Sequence, residues 1–387
     1  QENPECRRAL LEAYQEWFSM GFVGGRIDAV VEIPPAFLRL FQKKMGKPCF
    51  GEAFTGDVRK NAGIAGTLWG MLDYPLYFAM SAVFCKGEAW EIIERVLRQD
   101  DEYPDPRHLA TFLDNHDRQR FLACCGGDLR KLHLALVFIY AVRGIPVIYY
   151  GTEQELSADG KYTEAMLNDV NRECMTRFDE SVSTYRLIAE LNRLRKSYPA
   201  VFCEGKLELP GEDNRDECGI TMLHPADQGK LWGFIRRSAK SDQLSVLCLF
   251  NNAAESCRAE IRSHGKTRRL TLAPYDAVLL DLRYLSELNG MKQIRSIRRQ
   301  VSATTIRVHC NCGYGNTIYV RGDTRPLTWE QGVRCENISE SEWSFTITRF
   351  FAGKIEFKCL KNDFQWEEGE NHYIRFGETA DIIPVGI

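Results

Sequence analysis

Three short apolar runs in the N-terminal third of the chain break off at carboxylates. They are Arg26-Ile27-Asp28, in a short strand expected to run on to Val31, Phe50-Gly51-Glu52, and Ala110-Thr111-Phe112-Leu113 running into Asp114-Asn115-His116-Asp117. A run that ends this way reads as a buried strand reaching a polar site, because the carboxyl ends of strands carry the chemistry in parallel α/β proteins. Asp and Asn are also good helix N-caps, so the last stretch alone equally fits a strand end that caps the next helix. The intervening sequence favours the first reading. Asn3-Pro4-Glu5 opens a helix, with Leu10, Leu11, Tyr14, Trp17 and Phe18 at helical spacing. Pro34-Pro35 opens another, Ala36 to Met45, and Glu88 to Gln99 is amphipathic. Leu68 to Phe84 reads as strand then helix around Asp73-Tyr74-Pro75, and Leu129 to Val142 as a buried helix. Gly144 to Gly151 is a further strand with Glu153 and Glu155 beyond it, and Ser183 to Arg195 a helix with Leu187, Leu191 and Leu194 inward. Repeated strand–helix units predict a parallel sheet with helical crossovers, and carboxylates at successive strand ends are the layout of a (β/α) barrel active face.

After Pro199 the period changes to two. Lys206 to Leu282 alternates in short runs separated by Asp213-Asn214 and Asn251-Asn252, which predicts a small antiparallel domain over 201–285. Residues 286–300 carry Arg295, Arg298 and Arg299 with little apolar content and read as a linker. Residues 301–387 are β-rich again at regular spacing, which predicts a β-sandwich with Trp343 in its core. The predicted fold class is therefore multidomain: an α/β part over 1–200, the second half of a (β/α)8 barrel, then an all-β antiparallel domain and a C-terminal sandwich.

Charge excludes some classes of function. With 50 basic and 53 acidic residues among 387, the net charge of −3 is no footprint for nucleic acid or a membrane surface. No apolar run approaches the roughly 20 residues that span a bilayer. The 14 cysteines include no C-x-x-C pair, so no zinc site is expected, and thiols are expected over disulfides. Cys310 and Cys312 are expected to share one face of a strand. Gln1 to Glu5 resemble neither an initiator nor a signal peptide, so the N-terminus is expected to arise by processing or fragmentation.

Asp28, Glu52 and Asp117, on three different strand ends, suit glycoside hydrolysis, which needs two carboxylates across one bond with one of them protonated. Opposite protonation states require different surroundings. Arg26, two residues from Asp28 on one strand face, is placed to pair with it. Glu52, behind Phe50 and Gly51, is expected in a drier place.

The segments G-G-R-I-D-A-V, F-G-E-A-F-T-G-D and F-L-D-N-H-D-R-Q-R-F resemble three signature regions of the alpha-amylase family of glycoside hydrolases. G-I-P-V-I-Y-Y-G-T-E-Q resembles that family's last barrel strand, and Asp169-Val170-Asn171-Arg172-Glu173 a segment shortly after it. The resemblance runs from about residue 3 to 285. It implies Asp28 as nucleophile, Glu52 as general acid/base and Asp117 as the third carboxylate. Arg26 and His116 match residues that hold the nucleophile and sugar hydroxyls, and Arg120 matches an arginine used in outer sugar binding. The implied activity is retaining hydrolysis of α-1,4-glucosidic bonds in starch, glycogen or malto-oligosaccharides. The alternatives are transglycosylation within the same family and a non-catalytic glucan-binding protein on a decayed barrel. Val31 and Glu32 stand where many amylases carry a Lys-His pair. The family's first three strands and most of its calcium-ligand segments have no counterpart, so calcium and a missing N-terminal segment are implied only as possible partners. Large glucans favour an extracytoplasmic location, whereas glycogen would be internal.

The C-terminal stretches G-N-T-I-Y-V-R-G-D, L-T-W, I-E-F-K and W-E-E-G-E-N resemble a starch-binding domain. They imply Trp329 and Trp366 as an aromatic platform, with Lys358, Glu367 and Asn371 bonding sugar hydroxyls. A sugar ring has an apolar face that stacks on an indole while its rim takes hydrogen bonds.

Overall fold

Helix α1 (Pro4–Ser19) begins where Asn3 accepts the backbone N–H groups of Glu5 and Cys6, as its N-cap chemistry predicts. It opens an alternation of β1 (Gly25–Ile27), α2 (Pro35–Met45), β2 (Cys49–Gly51), α3 (Val58–Ala65), β3 (Gly70–Leu72), α4 (Tyr74–Met80) and α5 (Glu91–Leu97). Then follow β4 (Leu109–Phe112), α6 (Phe121–Cys124), α7 (Leu129–Ala141), β5 (Ile145–Val147), α8 (Ser183–Ser197) and α9 (Pro199–Phe202). This computed structural model describes residues 1–158, 171–209, 220–223, 230–240, 245–263, 266–282, 303–324, 326–348, 351–352, 354–375 and 378–387. The expected linker at 286–300 and Asp169-Val170 lie outside the described residues.

The five strands form one parallel sheet in the order β1-β2-β3-β4-β5. Every residue of β4 is buried, while β1 and β5 at the two edges are only partly so. Gly144 makes the entry to β5 possible: its φ is +93°, and a Cβ there would stand 2.5 Å from the Leu109 carbonyl oxygen. The strands are shorter than the apolar runs predict. β1 stops at Ile27 rather than Val31, because Ala29 is left-handed (φ 43°) and turns the chain into a short 3₁₀ helix, Val30–Glu32.

Strands β6 (Lys206–Glu208), β7 (Ile220–Leu223), β8 (Leu231–Arg237), β9 (Ser245–Asn251), β10 (Cys257–Ser263), β11 (Lys266–Leu272) and β12 (Asp276–Asp281) make two antiparallel layers. The middle of this region is buried on both faces. Leu231, Ile235, Leu247 and Leu249 face the β7-β10-β11 layer, sharing a core with Ile261 and Leu272. The alternate residues Trp232, Phe234, Val246, Cys248 and Phe250 join a cluster with Trp90, Phe138 and Leu191 from the helices. One face of the antiparallel region thus shares a core with the helices of the α/β part, and the other packs within the region itself.

The last region comprises β13 (Ala303–His309), β14 (Ile318–Gly322), β15 (Val333–Arg334), β16 (Glu336–Ser339), β17 (Glu342–Thr348), β18 (Phe351–Ala352), β19 (Lys354–Lys361), β20 (Gln365–Trp366), β21 (His372–Arg375) and β22 (Thr379–Ile382). One sheet has the order β16-β17-β13-β22, the other β15-β14-β19-β20 with β21 also on β19. Ile306, Val308, Trp343 and Phe345 from the first meet Ile318, Val320, Ile355 and Phe357 from the second in one core. Strand β18 leaves this region and pairs in parallel with β12. Every described cysteine is a free thiol. Cys310 and Cys312 lie beyond the end of β13 rather than on it, and only Cys312 is buried.

Candidate active site

Asp28 and Glu52 directly follow the carboxyl ends of the paired strands β1 and β2, and Asp117 lies in the loop after β4, with β3 between β2 and β4 in the sheet. Backbone hydrogen bonds stitch the first two segments together. Glu52 N–H donates to the Ile27 carbonyl at 2.9 Å, and Val30 N–H to the Glu52 carbonyl at 3.0 Å. The N–H of left-handed Ala29 donates to Glu52 Oε2 at 3.1 Å. A non-glycine residue at positive φ costs about 1–2 kcal/mol, and here the turn aims one N–H at a carboxylate and sends Asp28 outward.

The two carboxylates differ in surroundings. The Asp28 side chain is 72% exposed and takes a 2.7 Å bond from Arg26 Nη1. Glu52 is 9% exposed. Beside it stands Tyr74, the first residue of α4, fully buried and packed edge-on against the exposed Phe54 ring at 5.1 Å. The Tyr74 hydroxyl accepts from Asn115 Nδ2 at 3.0 Å. Burial first, then the nearby carboxylates of Glu52 and Asp117, push this phenol well above its ordinary range, opposed by the Asn115 bond. The Tyr74 hydroxyl thus lies near both carboxylates.

Asp117 is held on both oxygens, by Arg172 Nη2 at 3.0 Å and by His116 Nε2 at 3.0 Å. Its N–H donates to Asn115 Oδ1 at 2.9 Å. Buried Asn171 donates through Nδ2 to the carbonyls of Asn115, His116 and Arg118, clasping the loop. Asp114, only three residues earlier, serves the scaffold. It is buried, accepts from Phe121 N–H and Thr152 Oγ1, and fixes the start of α6. Below the site, buried Arg143 pairs with Asp73 and Asp100, anchoring the residue that caps α4 just before Tyr74.

Arg120 requires a correction. It is 0% exposed, donates to the Tyr150 carbonyl at 2.5 Å and lies over the rings of Tyr149 and Tyr150. With Glu173 Oε1 at 3.6 Å it is enclosed by protein, so the expected outer sugar contact has no surface to act through. Sequence reasoning passed over Tyr74, Asn171 and Arg172. For Tyr74 a signal existed, since Asp73-Tyr74-Pro75 ends another apolar run; for Asn171 and Arg172 only the resemblance marked the segment. Among the described residues no group of three or more His, Cys, Asp or Glu side chains is arranged to hold a metal ion.

In the C-terminal region the Trp329 and Trp366 rings stack with centroids 6.4 Å apart and planes 28° off parallel. Trp366 is 41% exposed, and Arg321 lies over its ring at 5.3 Å. Lys358 Nζ donates to the Gly369 carbonyl at 2.6 Å, and Asn371 Nδ2 to Glu356 Oε1 at 2.7 Å. Glu367 is the second correction. At 3% exposure it accepts the Cys359 N–H at 2.6 Å and pairs with His372, so it braces the strand instead of rimming the platform. Trp343 is buried, with its Nε1 donating to the Cys310 carbonyl, as expected of a core residue.

Comparison with known proteins gives a context for this geometry. Residues 71–186 match the family described as alpha amylase, catalytic domain, a span that holds Tyr74, His116 and Asp117 and begins beyond Asp28 and Glu52. The chain is 32% identical over 209 residues to a beta/alpha-amylase of Paenibacillus polymyxa, covering 52% of this chain and 17% of that protein. It is 32% identical over 211 residues to a cyclomaltodextrin glucanotransferase of Thermoanaerobacterium thermosulfurigenes, covering 52% and 28%. The matched stretch is thus under a third of either curated relative. Among solved structures, a cyclomaltodextrin glucanotransferase with a three-domain ABC distribution aligns with a TM-score of 0.60 at 28% identity, covering 72% of this chain and 60% of that one. An alpha-amylase of Geobacillus thermoleovorans, complexed with acarbose, shares the fold at 19% identity and a TM-score of 0.57, covering 93% and 64%.

Proposed function

We propose that this chain, whose residues 71–186 carry the alpha-amylase catalytic-domain pattern, is a retaining α-glucan-active enzyme. It cleaves α-1,4-glucosidic bonds in starch- or glycogen-type chains, and its C-terminal β-sandwich holds the glucan. The observation that carries this reading is that Asp28, Glu52 and Asp117 follow strands of one parallel sheet, with the Tyr74 hydroxyl, bonded by Asn115, near the last two.

In this reading the carboxylate of Asp28, paired with Arg26, attacks the anomeric carbon while Glu52 gives a proton to the departing glucosidic oxygen. Water, deprotonated by Glu52, then opens the glycosyl ester, and two inversions retain the configuration. A retaining pair works across about 5 to 5.5 Å. Asp117, oriented by His116 and Arg172, faces the sugar hydroxyls and the positive charge that develops on the ring. A second reading, transfer to a sugar hydroxyl in place of water, is favoured by the cyclomaltodextrin glucanotransferases among the relatives.

Two measurements test this. A fluorinated α-glucosyl fluoride, which slows the second step, is expected to leave a glycosyl label on the peptide containing Asp28, and Asp28→Asn to abolish it. Chromatography of maltoheptaose digests separates hydrolysis, with short linear products, from transfer, with cyclic or longer ones. No label and no turnover in a chain that still binds glucan would overturn catalysis in favour of a glucan-binding protein.

A further inference from the structure

Strand β19 presents alternate side chains to its two faces. Ile355, Phe357 and Cys359 point into the core between the sheets, so Lys354, Glu356, Lys358 and Leu360 lie on the opposite face, the first three half-buried and Leu360 covered. The register then fixes which residues of the next strand share the outer face. Trp366 stands opposite Leu360, and Tyr373 stands opposite Glu356. Lys358 lies between these two positions.

Tyr373 is built like a contact residue. It is 55% exposed. Its hydroxyl donates to Glu356 Oε1 at 3.0 Å, the same oxygen that takes the Asn371 amide. Lys354 Nζ lies 4.5 Å from the ring centroid. The ring is held at its tip and from one side yet keeps more than half of its surface in solvent. An aromatic ring that is both exposed and fixed in orientation loses little conformational freedom on stacking with a ligand.

The geometry points to Tyr373 as a second sugar-stacking ring, in line with the Trp329–Trp366 pair along the outer face of β19. The site then grips a run of several glucose units. Four residues along a strand span about 14 Å. A pyranose ring is roughly 5 Å across on ordinary covalent bond lengths. A disaccharide seated on Trp366 therefore does not reach Tyr373, and a longer chain does. Lys358 and Asn371, between the two rings, are positioned for the hydroxyls of the intervening units. This inference rests on the glucan-binding reading above.

The test is calorimetric titration of the full chain with maltose and with maltoheptaose. Tyr373→Ala is expected to weaken maltoheptaose binding about five- to a hundredfold, the scale of one lost stacking contact. Maltose binding should be unchanged. Tyr373→Phe, which keeps the ring and loses the bond to Glu356, should stay within about twofold of the parent. Trp366→Ala should weaken both ligands, and adding Tyr373→Ala to it should then cost less than in the parent, because the two rings act on one chain. If Tyr373→Ala leaves maltoheptaose binding intact, or weakens maltose equally, with the melting curve unaltered, the inference is overturned. If Trp366→Ala changes neither ligand, the glucan-binding reading fails instead.

Discussion

The protein contains two stacked indole pairs that differ in almost everything except the stack. Trp90 and Trp232 lie 5.3 Å apart at 15°, both fully buried, one from the helical part and one from β8. Their Nε1–H groups are satisfied by the Lys230 carbonyl and by Glu94 Oε2. Trp329 and Trp366 stack more loosely, and the outer ring faces solvent. The first pair is glue between two regions of one core. The second is ordered aromatic surface left uncovered, which a folded chain does not need for stability and a sugar ring can use.

This contrast can be broken from either side. The largest effect is expected from Trp232→Ala, about 3–5 kcal/mol of stability lost by emptying a packed site, read by chemical denaturation. A loss below about 1 kcal/mol would show that the shared core is not what joins the two regions. Trp366→Ala is expected to lower glucan binding by about 1–3 kcal/mol with little change in the same denaturation curve. A large stability loss there would make the second pair glue as well.

The smallest effect is a pH dependence confined to the exposed pair. The bond from Arg321 holds the Asp363 carboxyl below its ordinary range, helped by the Gly332 N–H against some burial. Arg321 also lies over Trp366. A carboxyl lowered in the folded state contributes stability above its unfolded value, near pH 4, and loses it as the pH falls through the folded value. Glucan affinity should therefore decline below about pH 4, and Asp363→Asn should carry that weakened state to neutral pH. An affinity equal to the parent's at neutral pH in Asp363→Asn would disconnect the ion pair from the platform.

What was legible in the sequence is what local pattern fixes. Apolar runs breaking off at Asp28, Glu52 and Asp114 mark the strand ends near Ile27, Gly51 and Phe112 without any knowledge of the neighbours, and the alternation around Trp343 puts it in a core. What stayed hidden depends on partners far along the chain. Nothing near Arg120 announces that Tyr149, Tyr150 and Glu173 enclose it. Nothing near Glu367 announces that the Cys359 N–H and His372 take its carboxylate. Charge suggests exposure at both, yet both are buried: Glu367 by its partners, Arg120 by two tyrosine rings, one carbonyl and the nearby Glu173 carboxylate. The early end of β1 was hidden for another reason, since a left-handed alanine carries no compositional mark.

The clasp of Asn171 and Arg172 on the loop at Asp117 has a consequence for how the protein is made. These contacts join residues 53 to 56 positions apart. As the chain emerges from the ribosome, β1 to β4 and their crossover helices are available to fold before residues 171 and 172 exist outside the exit tunnel. The loop carrying His116 and Asp117 must wait for that later segment and for the closure of a long span of chain. Secondary structure and apolar collapse can therefore run ahead of a finished site. In refolding, the ion pair between Arg172 and Asp117 is expected among the last contacts to form, so the ordering of the loop at Asp117 should lag behind the recovery of helix signal.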